Sequence, residues 1–166
     1  MGRSEEGTVK IELKWDKPIR LRDGSKLFQF YAIPSPRLER IPNKPGVYVF
    51  ARSFGQSIAP LYIGQTLRLR SRINDHLKSS GRLMMKIKRA QAGRRILLVA
   101  SLKLHPGQRE EKVLEIVEKA LIKHALAGGF ELLNKQGVKT RVHVIKSKGN
   151  TSSKQVAPLR MLAEKK

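Results

Sequence analysis

Val9, Ile11, Leu13 and Trp15 alternate with Lys10, Glu12 and Lys14, the period of a half-buried strand. A second apolar run, Leu27 to Ala32, follows a turn at Asp23-Gly24. Pro34, Pro36, Pro42 and Pro45 then punctuate a linker predicted to hold no helix. A central domain begins inside it, near Ile41. Gly46 to Ala51 and Leu61 to Gly64 read as two strands of a hairpin, joined by a long connection containing Gly55 and Pro60. Behind Thr66, a candidate cap, Leu69, Ile73 and Leu77 recur at the i, i+4, i+8 spacing of a helix. Gly81 ends that helix, and Leu83 to Gln91 forms a second. Ile96 to Leu104 reads as a strand, and Pro106-Gly107 turns the chain. Glu110 to Ala127 is a strong helix, with acids in its first turns where the dipole favours them. Gly128-Gly129 stops it. Leu132 and Leu133 open a short extended segment, and Arg141 to Ile145 alternates like a last strand. These elements predict an α+β protein: an extension over 1–40 with one or two strands, a domain over 41–145, and a tail over 146–166. The first ten residues are expected to fray, and the polar, basic tail to be mobile.

Composition changes the picture from fold to partner. The 166 residues carry 35 Lys and Arg against 13 Asp and Glu, a net charge of +22. Such a field recruits polyanions. Disorder does not explain it, because 40% of residues are apolar and form core-like runs. With no cysteine there is no disulfide framework and no thiolate zinc site. No stretch approaches the ~20 apolar residues of a membrane span, and Met1 to Lys10 lacks a signal-peptide core. The expectation is a soluble, cytoplasmic protein without a membrane partner. Arg68 to Arg95 holds ten basic residues and one acid, Asp75, and Lys135 to the end holds nine and one, Glu164. Two such segments indicate a phosphate grip. In the central one the expected nucleic-acid contacts are Arg68, Arg70, Lys78, Arg82, Lys86, Lys88, Arg89, Arg94 and Arg95.

Three features bear on chemistry. Tyr48 points away from Val47 and Val49, and Tyr62 away from Leu61 and Ile63, so the tyrosines share a face if the aliphatic faces coincide. They are also what an amphipathic strand carries anyway. Arg68, Arg72 and His76 form a helical stripe one residue, roughly 100°, from the apolar stripe. An arginine there can fork a phosphate and a histidine can relay a proton, or the stripe is simply a basic face. Glu118 has Leu114, Leu121, Ile122 and Ala125 as its helix neighbours. A carboxylate in that setting calls for a cation, metal or hydrogen bond, unless it snorkels at the edge of the face.

Gly46-Val47-Tyr48 followed by Tyr62-Ile63-Gly64 resembles the paired motif of the GIY-YIG nuclease superfamily, with Val47 in place of the Ile. That family places an Arg on the helix after the second motif, where Arg72 stands, with His76 one turn on. It places a Glu on a later helix and then an Asn in a loop, where Glu118 and Asn134 stand. The likeness covers about Pro45 to Gly137. Ser71 to His76 is similar to the restriction-enzyme members, whereas the connection between the motifs is longer than in the most compact ones.

The resemblance implies a small three-stranded antiparallel sheet flanked by helices, one divalent metal, and phosphodiester hydrolysis. Tyr48 would be the general base or orient the attacking water, and Tyr62 would assist. Arg72 would stabilise charge on the scissile phosphate. His76 would help deprotonate the tyrosine or hold the phosphate. Glu118 would bind the metal, and Asn134 would hold the site together. One carboxylate with phosphate and water oxygens suits Mg²⁺ or Mn²⁺, weakly bound without substrate. The expected function is a metal-dependent DNA endonuclease acting on duplex DNA, with no small-molecule cofactor. Cutting both strands of a palindrome would call for a homodimer. The alternatives are a non-catalytic nucleic-acid-binding protein on the same fold and a basic RNA- or ribosome-associated protein.

Overall fold

The computed structural model describes residues 10–26, 29–78, 81–134, 142–146 and 160–164. Of the first ten residues, expected to fray, all but Lys10 lie outside them, as does most of the expected basic tail.

The protein is α+β. The N-terminal extension supplies four short strands, β1 (Glu12–Trp15), β2 (Ile19–Arg20), β3 (Arg22–Asp23) and β4 (Tyr31–Ala32), and helix α1 (Ser35–Glu39). Then come β5 (Gly46–Phe54), β6 (Ser57–Thr66), α2 (Leu69–Lys78), α3 (Arg82–Arg89), β7 (Arg94–Lys103) and α4 (Glu110–Ala127). Strands β8 (Val142–Lys146) and β9 (Arg160–Glu164) follow.

The main sheet is antiparallel in the order β1-β7-β5-β6, with β2 also paired to β7. It therefore has five strands. The N-terminal extension adds β1 and β2 along the outer side of β7, and β3 pairs with β4 as a separate ribbon.

The proline-rich linker does contain a helix, against expectation. Pro34 is the N-cap of α1 and Pro36 sits in its first turn. There the backbone N–H groups have no partner to lose, so proline is tolerated. The hairpin also departs from its expected form. Its long connection is strand: Phe54 pairs with Ser57, and only Gly55-Gln56 turns, with Gly55 at φ +59°. A glycine with positive φ fits the two-residue turns that match strand twist. Pro60, which cannot donate to a ladder, is accommodated because β6 is the sheet edge and the register shifts there. Phe50 faces Tyr62 and Ala51 faces Pro60, so Leu61 is the extra residue of a bulge.

That bulge corrects one expectation about faces. Leu61 packs with Tyr48 and Phe50, whereas Ile63 packs with Val49 and Ala51. On one face, Tyr48, Phe50, Leu97 and Val99 meet Leu69, Ile73 and Leu77 of α2 and Met84 and Ile87 of α3. On the other, Val47, Val49, Ile63 and Ala100 meet Leu114, Val117 and Ile122 of α4. Helices cover both faces, so the alternation Val47-Tyr48-Val49-Phe50 is apolar on each side.

At the far end of the chain, β8 and β9 pair antiparallel from Val142↔Glu164 to Lys146↔Arg160. The tail is thus not without structure, since Arg160–Glu164 is a strand. Among the described residues no helix is long and apolar enough to cross a membrane.

Candidate functional site

Both motif glycines are dictated by close approach. A Cβ on Gly64 would fall 2.4 Å from Cζ and 2.5 Å from the hydroxyl oxygen of Tyr48. One on Gly46 would fall 2.1 Å from the Ala100 carbonyl oxygen and 2.6 Å from Leu69 Cδ1. Gly64 faces Tyr48 across the hairpin, so the end of the phenol lies over bare backbone. Gly46 lets β7 and α2 close on the start of β5.

Helix α2 then brings its side chains to that phenol. Its first turn is held by the preceding linker. The Leu69 N–H donates to the Lys44 carbonyl and the Ser71 N–H to Asn43 Oδ1. Thr66 Oγ1, the expected cap, accepts from the Arg68 N–H at 3.1 Å. Asn43 was not singled out in the sequence; an Asn nearly thirty residues upstream carries no local signature of a cap.

The Tyr48 side chain is buried, at 1% exposure, and its hydroxyl lies 2.9 Å from His76 Nε2. Arg72, one turn earlier on α2 and exposed, sets its guanidinium beside this hydroxyl. The bond directions follow from chemistry. Arginine only donates, so toward Arg72 the Tyr48 oxygen can act only as an acceptor. The hydroxyl proton is then free to point at Nε2 of a neutral His76. Burial, followed by the Arg72 cation, pushes the His76 pKa down to about 4, so the ring is neutral at pH 7. Burial, followed by the Tyr62 phenol, raises the Tyr48 pKa well above its ordinary value, and the Arg72 guanidinium opposes that rise. The Arg72 pKa is raised, chiefly by the Tyr48 hydroxyl.

Aromatic rings frame the imidazole. The His76 centroid is 5.5 Å from that of Tyr48, 5.9 Å from that of Phe50 and 6.3 Å from that of Tyr62. Tyr48 and Tyr62 lie 6.2 Å apart on the same side of the sheet, although Leu61 and Ile63 do not share the aliphatic face on which that expectation was conditional. Four sequence-predicted residues, Tyr48, Tyr62, Arg72 and His76, are therefore brought together.

Glu118 and Asn134 are placed differently. Asn134 clamps the sheet edge: its Nδ2 donates to the Ile63 carbonyl at 2.6 Å, and its Oδ1 accepts from the Ile63 N–H at 3.5 Å. The Leu133 N–H adds a bond to the Leu61 carbonyl at 2.7 Å. Glu118 is on α4, whose apolar side covers the sheet face opposite Tyr48. It is half-buried, and it forms no ion pair or side-chain hydrogen bond among the described residues. Burial, then the Glu115 carboxylate, raises its pKa. Among the described residues no three His, Asp or Glu side chains gather as a metal cluster. The protein's offer to a metal is thus one carboxylate. Such a donor set fits a hard divalent ion only when phosphate and water oxygens complete it.

The basic residues divide. Arg68, Lys78, Arg82, Lys86, Lys88, Arg89 and Arg94 are exposed, and Lys88 lies over the Phe30 ring at 5.2 Å. Arg70 spends its Nε on the Ile41 carbonyl at 2.8 Å. Arg95 corrects the expectation of a phosphate contact, being only 7% exposed. Its guanidinium donates to the carbonyls of Ile87, Ala90 and Gly93 at 2.9 to 3.0 Å. Arg95 thereby ties the C-terminus of α3, whose last carbonyls need donors, to the start of β7.

Compared with known proteins, the chain matches no family model, no curated protein and no solved structure.

Proposed function

We propose that the protein is a metal-dependent endonuclease of the GIY-YIG type that hydrolyses phosphodiester bonds in duplex DNA. The observation that carries the reading is the buried Tyr48 hydroxyl, held between His76 Nε2 and Arg72. The antiparallel neighbours β7-β5-β6 with flanking helices are compatible with the three-stranded sheet of that family. The paired glycines and the net charge of +22 add support.

In this reading the phenol oxygen draws a proton from the attacking water as its own proton moves to the neutral imidazole, which is charged only transiently and from which the proton passes on to the leaving oxygen. Burial opposes ionisation of Tyr48, so the step needs positive charge beside the oxygen. Arg72 supplies it and can also fork the scissile phosphate as its charge grows. Tyr62, half-buried beside both rings, orients water or phosphate. Asn134 fixes β6 and so the second motif. Glu118 would hold Mg²⁺ or Mn²⁺, which when bound supplies Lewis-acid stabilisation of phosphate oxygens.

The test is nicking of supercoiled plasmid with Mg²⁺ or Mn²⁺. Wild type should nick, while Tyr48→Phe and Glu118→Ala should lose at least about a hundredfold in rate while remaining folded. Tight DNA binding without cleavage under every divalent metal would replace this reading with a non-catalytic binding protein. Binding confined to structured RNA would replace it with an RNA-associated one.

A further inference from the structure

Away from Tyr48, the N-terminal extension and the start of β7 enclose a cavity of about 800 Å³. Arg20, Arg22, Arg37, Arg94 and Arg95 line it, against one carboxylate, Asp23. We propose that this arginine cleft is a second phosphate-backbone site, which grips duplex DNA outside the Tyr48 centre.

The cleft is built rather than incidental. Leu21 is buried between exposed Arg20 and Arg22, so one anchored residue presents both cations. The Leu21 N–H donates to the Arg95 carbonyl at 3.0 Å, which fixes that anchor to β7. Arg37 comes from α1 and Arg94 from the first position of β7. The buried Arg95 has its donors engaged on carbonyls. The other four are exposed, and among the described residues none forms an ion pair or a side-chain hydrogen bond. Asp23 forms no ion pair among these residues either. Four like charges around one hollow repel each other unless an anion joins them.

Lining and position choose the anion. Pockets for small organic ligands are mostly apolar, whereas guanidinium groups dominate here. Arginine forks suit phosphate oxygens, and a cavity of this volume exceeds what one phosphate fills. The lining residues Leu21 and Tyr31 belong to the same core, on the same sheet face, as Tyr48. Lys88 of α3 lies over the ring of Phe30, the residue that precedes Tyr31 in the chain, at 5.2 Å. The proposal rests on the reading of DNA as partner, but not on cleavage.

The decisive measurement is anisotropy of a labelled 30-base-pair duplex titrated with the full chain in EDTA, across a salt series. A triple Arg20→Ala, Arg22→Ala, Arg37→Ala variant should bind at least about tenfold more weakly at 150 mM salt. Its log K against log salt slope should flatten by about two to three. A matched control, Arg109→Ala, Lys112→Ala, Lys123→Ala, removes the same charge from the loop before α4 and from α4 itself. It should change the slope by less than one. Equal effects of the two triples would reduce the cleft to net charge and overturn the proposal. Saturable binding of inorganic phosphate in the cleft, with duplex affinity unchanged in the triple variant, would overturn it in favour of a small-anion site. EDTA abolishes turnover, so a wild type that binds through the cleft yet never nicks plasmid supports the cleft while refuting the nuclease. A wild type that nicks plasmid, with duplex affinity unchanged in the triple variant, does the reverse.

Discussion

The His76 imidazole is half-buried against three aromatic rings and beside the Arg72 cation, and both disfavour its charged form. Its pKa falls from 6.5 to about 4. In the unfolded chain it would titrate near 6.5. Between those values the unfolded state binds the extra proton, so stability rises with pH across the window. The contribution is complete above pH 6.5 and is lost as pH falls toward 4. A shift of this size corresponds to at most about 3 kcal/mol. The ring is partly exposed and water screens it, so roughly 1–2 kcal/mol is expected. Urea unfolding of wild type and His76→Gln from pH 7.5 to 4.5 isolates the effect. Glutamine keeps an acceptor for the Tyr48 hydroxyl but does not titrate. The difference in unfolding free energy between the two proteins should shrink by that 1–2 kcal/mol as pH falls. The imidazole Hε1 resonance of His76 should not titrate above pH 5. Parallel stability curves, or an NMR midpoint near 6.5, would refute the geometry of a neutral His76 accepting from Tyr48.

Substitutions at three further positions test the frame around the site. Gly64→Ala places a methyl against the Tyr48 ring end, and should destabilise by about 1–3 kcal/mol in thermal or urea unfolding. Arg95→Ala leaves the carbonyls of Ile87, Ala90 and Gly93 without that donor. A loss of about 3 kcal/mol is expected by urea unfolding, and Arg95→Lys should recover little of it, because one ammonium does not span three carbonyls. Asn134→Ala should increase hydrogen exchange along β6, and Asn134→Asp more so, since it sets a carboxylate against the Ile63 carbonyl.

Much of the fold was legible because periodicity is enforced by burial. The 3.6-residue stripe of Leu69, Ile73 and Leu77 is the buried face of α2, and Glu110–Ala127 is helical over the range its pattern implies. The failures share a cause in non-local structure. Pro36 could be helical because it falls in a first turn, which depends on where the chain enters α1. Leu61 changed faces because a bulge inserts one residue, and a strict period of two contains no bulge. Arg95 reads as one more surface cation in a basic run. Its burial follows from α3 ending against β7, a tertiary fact.

Packing accounts for the motif glycines, but it does not account for the polar atoms beside them. Gly46 and Gly64 are required because β7, α2 and a phenol ring occupy the space of their side chains. A phenylalanine at position 48 would fill almost the same volume, and Phe50 two residues on shows that this core accepts one. The fold therefore has no need of a hydroxyl at Tyr48. A buried hydroxyl whose proton points at an imidazole must be compensated by those hydrogen bonds merely to break even with the apolar alternative. Nor does the fold need Arg72, an exposed guanidinium set against the phenol oxygen. Stability selects the ring of Tyr48, whereas its oxygen, His76 Nε2 and Arg72 form an arrangement that suits the proposed proton transfer beside an anion. Tyr48→Phe separates the two demands: it should cost about 1 kcal/mol of stability while removing the nicking activity. An equally active, equally stable Phe variant would leave the trio without a role and the chemistry assigned here without support.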